Sequence, residues 1–203
     1  RFRNQLGVYY MNKGENDKAA EEFLKAIELN PDEVSYYSKL GLNWYKQKKF
    51  ENALKIYKKG RTVDKYNSEL NTNLSALYND MQLYDSSIAV LRDALRSNKN
   101  MMSVLTNFVN AFTAKEKYDS AFKYANMQMQ MGNPAGLADV YMQWGINLYK
   151  KGDNTAAQQK MEKAVEIREN YSTLNSLAAI QMINGMHSQA ENNLLKADRT
   201  NPA

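Results

Sequence analysis

The chain has 203 residues, 43% of them apolar and 24% charged, with three prolines and a formal net charge of +5. This is the composition of an ordered chain that can bury a continuous core, which excludes a disordered or collagen-like protein. It contains no cysteine, which removes disulfides, thiolate metal sites and cysteine nucleophiles, and no apolar run is long enough to span a bilayer or form a signal-peptide core. Cytoplasm and periplasm both remain open as compartments. Because a helical pattern already runs at Arg1, the sequence is expected to be a piece of a longer chain whose signal or anchor lies elsewhere.

A period close to 34 residues organises the whole chain. Gly7 recurs as Gly41, Ser75, Val109, Gly145 and Ala178, and a second small row runs Ala19, Ala53, Ser87, Ala121, Ala157 and Ala190. Seven residues beyond the second row stand Ala26, Gly60, Ala94, Ala164 and Ala197, with Gln128 breaking the series. A large apolar residue precedes the first small one (Leu6, Leu40, Leu74, Phe108, Trp144, Leu177), and an aromatic often follows it by three (Tyr10, Trp44, Tyr78, Phe112). These offsets put each set on one face of a helix, where a small residue among bulky ones lets a partner helix approach closely. Short turns such as Lys13-Gly14-Glu15-Asn16 and Lys151-Gly152-Asp153-Asn154 separate the two helices, with glycine supplying the left-handed end. The spacing predicts six helical hairpins, near 1–34, 35–68, 69–102, 103–137, 138–170 and 171–203, the last closed by Pro202.

With Leu6, Gly7, Tyr10, Ala19, Phe23, Ala26 and Pro31 in the first unit and Tyr37, Leu40, Gly41, Trp44, Ala53 and Tyr57 in the second, the sequence resembles the tetratricopeptide repeat (TPR) family. The resemblance covers the chain and implies an all-α solenoid of six helix-turn-helix repeats forming a single domain over 1–203. The fourth unit departs furthest, since Ala125 and Gln128 replace an aromatic and an alanine and Gly132-Asn133-Pro134-Ala135-Gly136 lengthens its exit. A terminal hairpin needs a cap, so self-association through an uncapped end is one expected contact.

Chemistry finds little purchase. His187 is the only histidine and occupies the turn column held elsewhere by Phe50, Tyr84 and Tyr118, so it is expected to pack as a ring under the turn. No phosphate-binding glycine loop or paired acidic motif occurs. The expectation is therefore no enzyme, no cofactor and no metal. Met127, Met129 and Met131 read as flexible filler beside the fourth-to-fifth joint, with an adaptable contact surface as the second reading.

Charge is local: residues 35–68 hold nine Lys or Arg against two Asp or Glu. Lys48, Lys49, Lys55, Lys58, Lys59 and Lys65 form a candidate polyanion patch, but lysine outweighs arginine and a solvated face is the favoured reading over nucleic acid or membrane.

The resemblance implies that the first helices line a concave groove holding a peptide or protein partner. In that column stand Ser38, Leu42 and Tyr45, then Thr72, Ala76 and Asn79, then Thr106 and Asn110, with Tyr149 further on and Lys39, Asn73 and Asn107 alongside. The family's carboxylate clamp, which grips a chaperone's acidic terminus, is not expected, because Ser38, Thr72, Ser103 and Asp139 stand where it needs cations. The leading expectation is a protein-binding scaffold or adaptor. A regulatory arm of a larger multidomain chain is the alternative, and a polyanion-binding module the third reading.

Overall fold

The computed structural model describes residues 1–97 and 99–200, so Pro202 lies outside the described residues. Twelve α-helices and no strand occur among them: α1 (Phe2–Asn12), α2 (Asn16–Leu29), α3 (Val34–Lys46), α4 (Phe50–Val63), α5 (Ser68–Asp80), α6 (Tyr84–Ala94), α7 (Met101–Ala114), α8 (Tyr118–Gln130), α9 (Ala135–Lys150), α10 (Asn154–Ile167), α11 (Tyr171–Ile183) and α12 (His187–Thr200). They follow the predicted order of six hairpins. The chain divides into two compact units, Arg1–Ala111 and Phe112–Ala203, and the division falls within α7.

Several helix starts are fixed by their first polar residue. Asn67 accepts from the Leu70 amide at 3.0 Å and Asp153 from the Ala156 amide at 2.9 Å. Asn170 and Thr173 form a reciprocal capping box at the start of α11.

All six tips end alike. The residue at 14, 48, 82, 116, 152 or 185 has positive φ, and the next amide donates back five residues, as from Lys49 to the Trp44 carbonyl and from Leu83 to the Tyr78 carbonyl. This is the Schellman closure, which satisfies carbonyls the helix leaves open. Glycine was expected to supply the left-handed residue. Lys48, Gln82 and Glu116 do so at φ of 58°, 59° and 55°, because the two backbone bonds hold the turn even against the strain of a Cβ.

In both units the small rows are buried. Ala19, Ala53, Ser87, Ala121, Ala157 and Ala190 are all 0% exposed. In the first unit the row matters most at Gly41: a Cβ there would fall well inside contact distance of the Tyr57 ring, itself fully buried, and one at Gly7 would lie 2.7 Å from Phe23. In the second unit the Cβ of a residue at 145 would sit 3.2 Å from Met161. Gln128, the break in the third row, is 1% exposed and lies against Gly136, where any Cβ would strike its amide oxygen. The long glycine-containing exit of the fourth hairpin therefore accommodates the one large polar residue in that row.

Two expectations are corrected. His187 is exposed at the first turn of α12, because no described helix follows to cover it. Tyr118, in the equivalent column, instead stacks on Trp144 at 4.7 Å and accepts a hydrogen bond from Asn147 at 2.7 Å. Met127, Met129 and Met131 are 37%, 45% and 52% exposed rather than packed as filler, since α8 turns that end of its surface to solvent.

The first unit is rich in buried phenols. Burial raises the pKa of Tyr37, Tyr57 and Tyr78, and Tyr45 is pushed up to about 12 by burial and then by its hydrogen bond to Asp80.

Three outcomes follow from this packing. Gly41→Ala adds roughly 0.8–1 kcal/mol of helix propensity, yet overpacking against a ring with no room to retreat costs about 1–3 kcal/mol, so the variant should melt lower than the parent in a thermal scan. Gln82→Gly should do the reverse, raising stability by about 0.5–1 kcal/mol through relief of a left-handed non-glycine residue, as read from the urea midpoint. In alkali the unfolded tyrosines ionise near pH ~10 while the buried ones keep their protons, so fewer protons are bound unfolded than folded and stability falls with rising pH. The urea midpoint should thus decline from about pH 10 toward pH 12, less steeply in Tyr45→Phe; a flat profile in the parent would contradict the burial of these phenols.

Candidate functional site

The first helices of the first unit form the candidate binding face, with α3 and α5 packed together and Asn107 of α7 bonded to α5. Polar rungs 31 to 35 residues apart join them. Ser38, 1% exposed, donates to Glu69 at 3.2 Å and accepts from the Asn73 amide at 3.1 Å. The Asn107 amide donates to the Thr72 carbonyl at 3.0 Å and to the Ser75 hydroxyl at 2.7 Å. The Tyr45 hydroxyl donates to Asp80 at 2.6 Å, the bond that helps hold its proton into alkali. Each rung pairs one helix with its counterpart in the next hairpin, and the repeat length sets the separation.

Ser38, Tyr45, Thr72, Asn73 and Asn107 are thus structural ties. Asn73 and Asn107, which the sequence places alongside the groove column, spend their side-chain amides on these bonds. Lys39, Leu42, Ala76 and Asn79 are half-buried, and Thr106 and Asn110 are exposed. Tyr149 belongs to the second unit, at the end of α9, and is 45% exposed. Glu69 and Asp80 went unrecognised in the sequence because an isolated carboxylate on a helix looks like solvated charge. Their only signal was a hydroxyl about one repeat earlier, Ser38 or Tyr45.

The basic residues differ in their surroundings. The Lys49 ammonium lies 3.3 Å from Asp17, while Arg61 and Lys65 share Asp93 at 2.5 and 3.9 Å. Lys48 sits at the hairpin tip, and Lys55, Lys58 and Lys59 are exposed on α4. α4, which separates Lys49 from Lys65, is roughly 20 Å long at a rise of 1.5 Å per residue.

Among the described residues no group of three or more His, Asp or Glu side chains is placed to hold a metal, and no helix is long and apolar enough to cross a membrane.

The TPR repeat profile matches residues 7–47, which run from within α1 to the residue after α3. The whole chain is similar in fold to PilF from Pseudomonas aeruginosa, at 19% identity with a TM-score of 0.70, covering 99% of this chain and 91% of that one. It is similar also to PilW, a type IV pilus biogenesis factor, at 14% identity and TM-score 0.74, covering 98% of this chain and 91% of that one. YrrB, a TPR protein with an unusual peptide-binding site, matches at 19% identity and TM-score 0.60, covering 90% and 94%. No curated protein sequence matches the chain. Residues 7–47 thus match a tetratricopeptide repeat, and the described residues share the helical-hairpin fold of these solved structures.

Proposed function

We propose that the chain is a non-catalytic scaffold that holds a peptide or protein segment against the first helices of its hairpins. The TPR fold supports protein–protein contact in general, and the peptide-binding site of YrrB is an instance on a similar fold. The observation that carries the reading is the set of rungs Ser38–Asn73, Tyr45–Asp80 and Asn107–Thr72. They fix three first helices side by side before any ligand arrives. A preorganised face loses less ordering entropy on binding than one that must assemble.

Lys39, Leu42, Ala76, Asn79 and Asn110 also stand on that face, with Thr106, whose hydroxyl donates to the Met102 carbonyl at 2.9 Å. Their chemistry is mixed: amide and hydroxyl groups able to pair with peptide N–H and C=O, one cation, and aliphatic carbon. Such a lining suits an extended segment of modest charge rather than an acidic terminus.

The test begins with a partner isolated by cross-linking from the source cell and then purified. Lys39→Ala with Asn110→Ala should leave melting nearly unchanged, since Asn110 is exposed, half-buried Lys39 joins no ion pair among the described residues, and surface substitutions of this kind usually fall within about ±0.5 kcal/mol, while affinity for the purified partner drops about tenfold. Arg92→Ala, on α6, is the control and should bind as the parent does. Loss of affinity in the control alone, or equal binding by all three proteins, would remove the first-helix face from the account.

A further inference from the structure

A pocket of about 300 Å³ opens between α2, α3 and α4, away from the polar rungs, lined by Leu24, Trp44, Asn52, Lys55, Ile56 and Lys59. Its floor is apolar and its rim is cationic. Leu24 is the unusual member, because in the register of the repeat its counterparts are Lys58, Arg92, Asn126, Glu162 and Leu195. Four of those five are polar, so the hairpin fold does not call for an apolar side chain here. Leu24 is nevertheless 42% exposed beside a half-buried indole.

The two lysines are equally unspent. Among the described residues neither Lys55 nor Lys59 joins an ion pair, whereas Lys49, Arg61 and Lys65 in the same hairpin all do. The Lys59 ammonium rests only 5.9 Å from the centre of the Tyr37 ring. No carboxylate lines the pocket.

We propose that this pocket docks an acidic segment of a partner protein, which inserts one aliphatic or aromatic side chain over Leu24, Trp44 and Ile56 and sets its carboxylates against Lys55 and Lys59. A bare polyanion would use the lysines and leave the floor wet. A neutral apolar ligand would use the floor and leave the charges unanswered. Only a ligand with both parts matches both halves of the lining, and a volume at the low end for ligand sites suits a single side chain as the anchor. The site is separate from the first-helix face, so either can fail without the other.

Trp44 reports occupancy, since Trp144 is the only other tryptophan and can be changed to phenylalanine. Anisotropy of a labelled peptide gives a second reading in the unmodified protein. The probes are a synthetic peptide pool of glutamate and aspartate around one fixed phenylalanine, the same pool with serine at the fixed position, polyglutamate, heparin, and vesicles containing phosphatidylserine. The phenylalanine pool should bind saturably and shift Trp44 emission, with the serine pool and polyglutamate at least about tenfold weaker, the expected worth of one buried apolar side chain. Leu24→Asn, which installs the residue found in this column at 126, and the pair Lys55→Gln with Lys59→Gln should each weaken the phenylalanine pool about tenfold, with circular dichroism and melting as in the parent. Equal binding of the two pools, tighter binding of heparin or vesicles than of the phenylalanine pool, or no saturable signal would each overturn the proposal.

Discussion

The structure depends on an empty place beside a ring. At Gly41 nothing projects from α3, and the Tyr57 ring of α4 fills that space completely. Gly7 and Phe23 repeat the arrangement in the first hairpin, and Gly145 and Met161 give a looser version in the fifth. Close-packed interiors feel even a methylene, so the distance between the two helices of a hairpin is set by this one pairing of nothing with something large. In the sequence of the fourth repeat the small position holds Val109 and the position of the ring holds Ala125.

Packing within hairpins does not by itself say how one hairpin meets the next. In the first unit that choice falls to the polar rungs, with Ser38, Asn73 and Asn107 bonding across a separation close to the repeat length. Hydrogen bonds are directional where apolar contact is not, and one left unmade in a partly buried seam forfeits the solvation of both partners. The rungs therefore select a register between first helices that hydrophobic burial would tolerate with some slippage. They also explain why a surface of ordinary polar residues can be stiff.

The fold was legible because its determinants are local and periodic: small residues at fixed offsets, aromatics three residues on, a turn at each tip. Gly7 through Ala178 and Ala19 through Ala190 announce the hairpins whatever the rest of the sequence does. The site was less legible because it rests on pairs of residues a whole repeat apart. Asn73 looked free until Ser38 was seen beside it, and Asp80 looked like solvent-facing charge until Tyr45 was found donating to it. His187 misled for the opposite reason, since its column predicts a covered ring only where another helix packs over it, as Trp144 does over Tyr118. Leu24 was overlooked because an apolar residue on an amphipathic helix attracts no notice until its exposure is measured.

The hairpin tips have a consequence for how the molecule can change. Each closes through backbone groups alone, and the residue at its apex is lysine, glutamine, glutamate or glycine with the same geometry in every case. Side-chain identity at that point is nearly uncoupled from folding, within the modest strain of a left-handed Cβ. Charge can therefore be written into or erased from an apex, one hairpin at a time, while the buried pairing below stays as it is. A lineage of such proteins could alter its long-range electrostatic field, and with it the rate at which charged partners arrive, by substitutions that the core never registers.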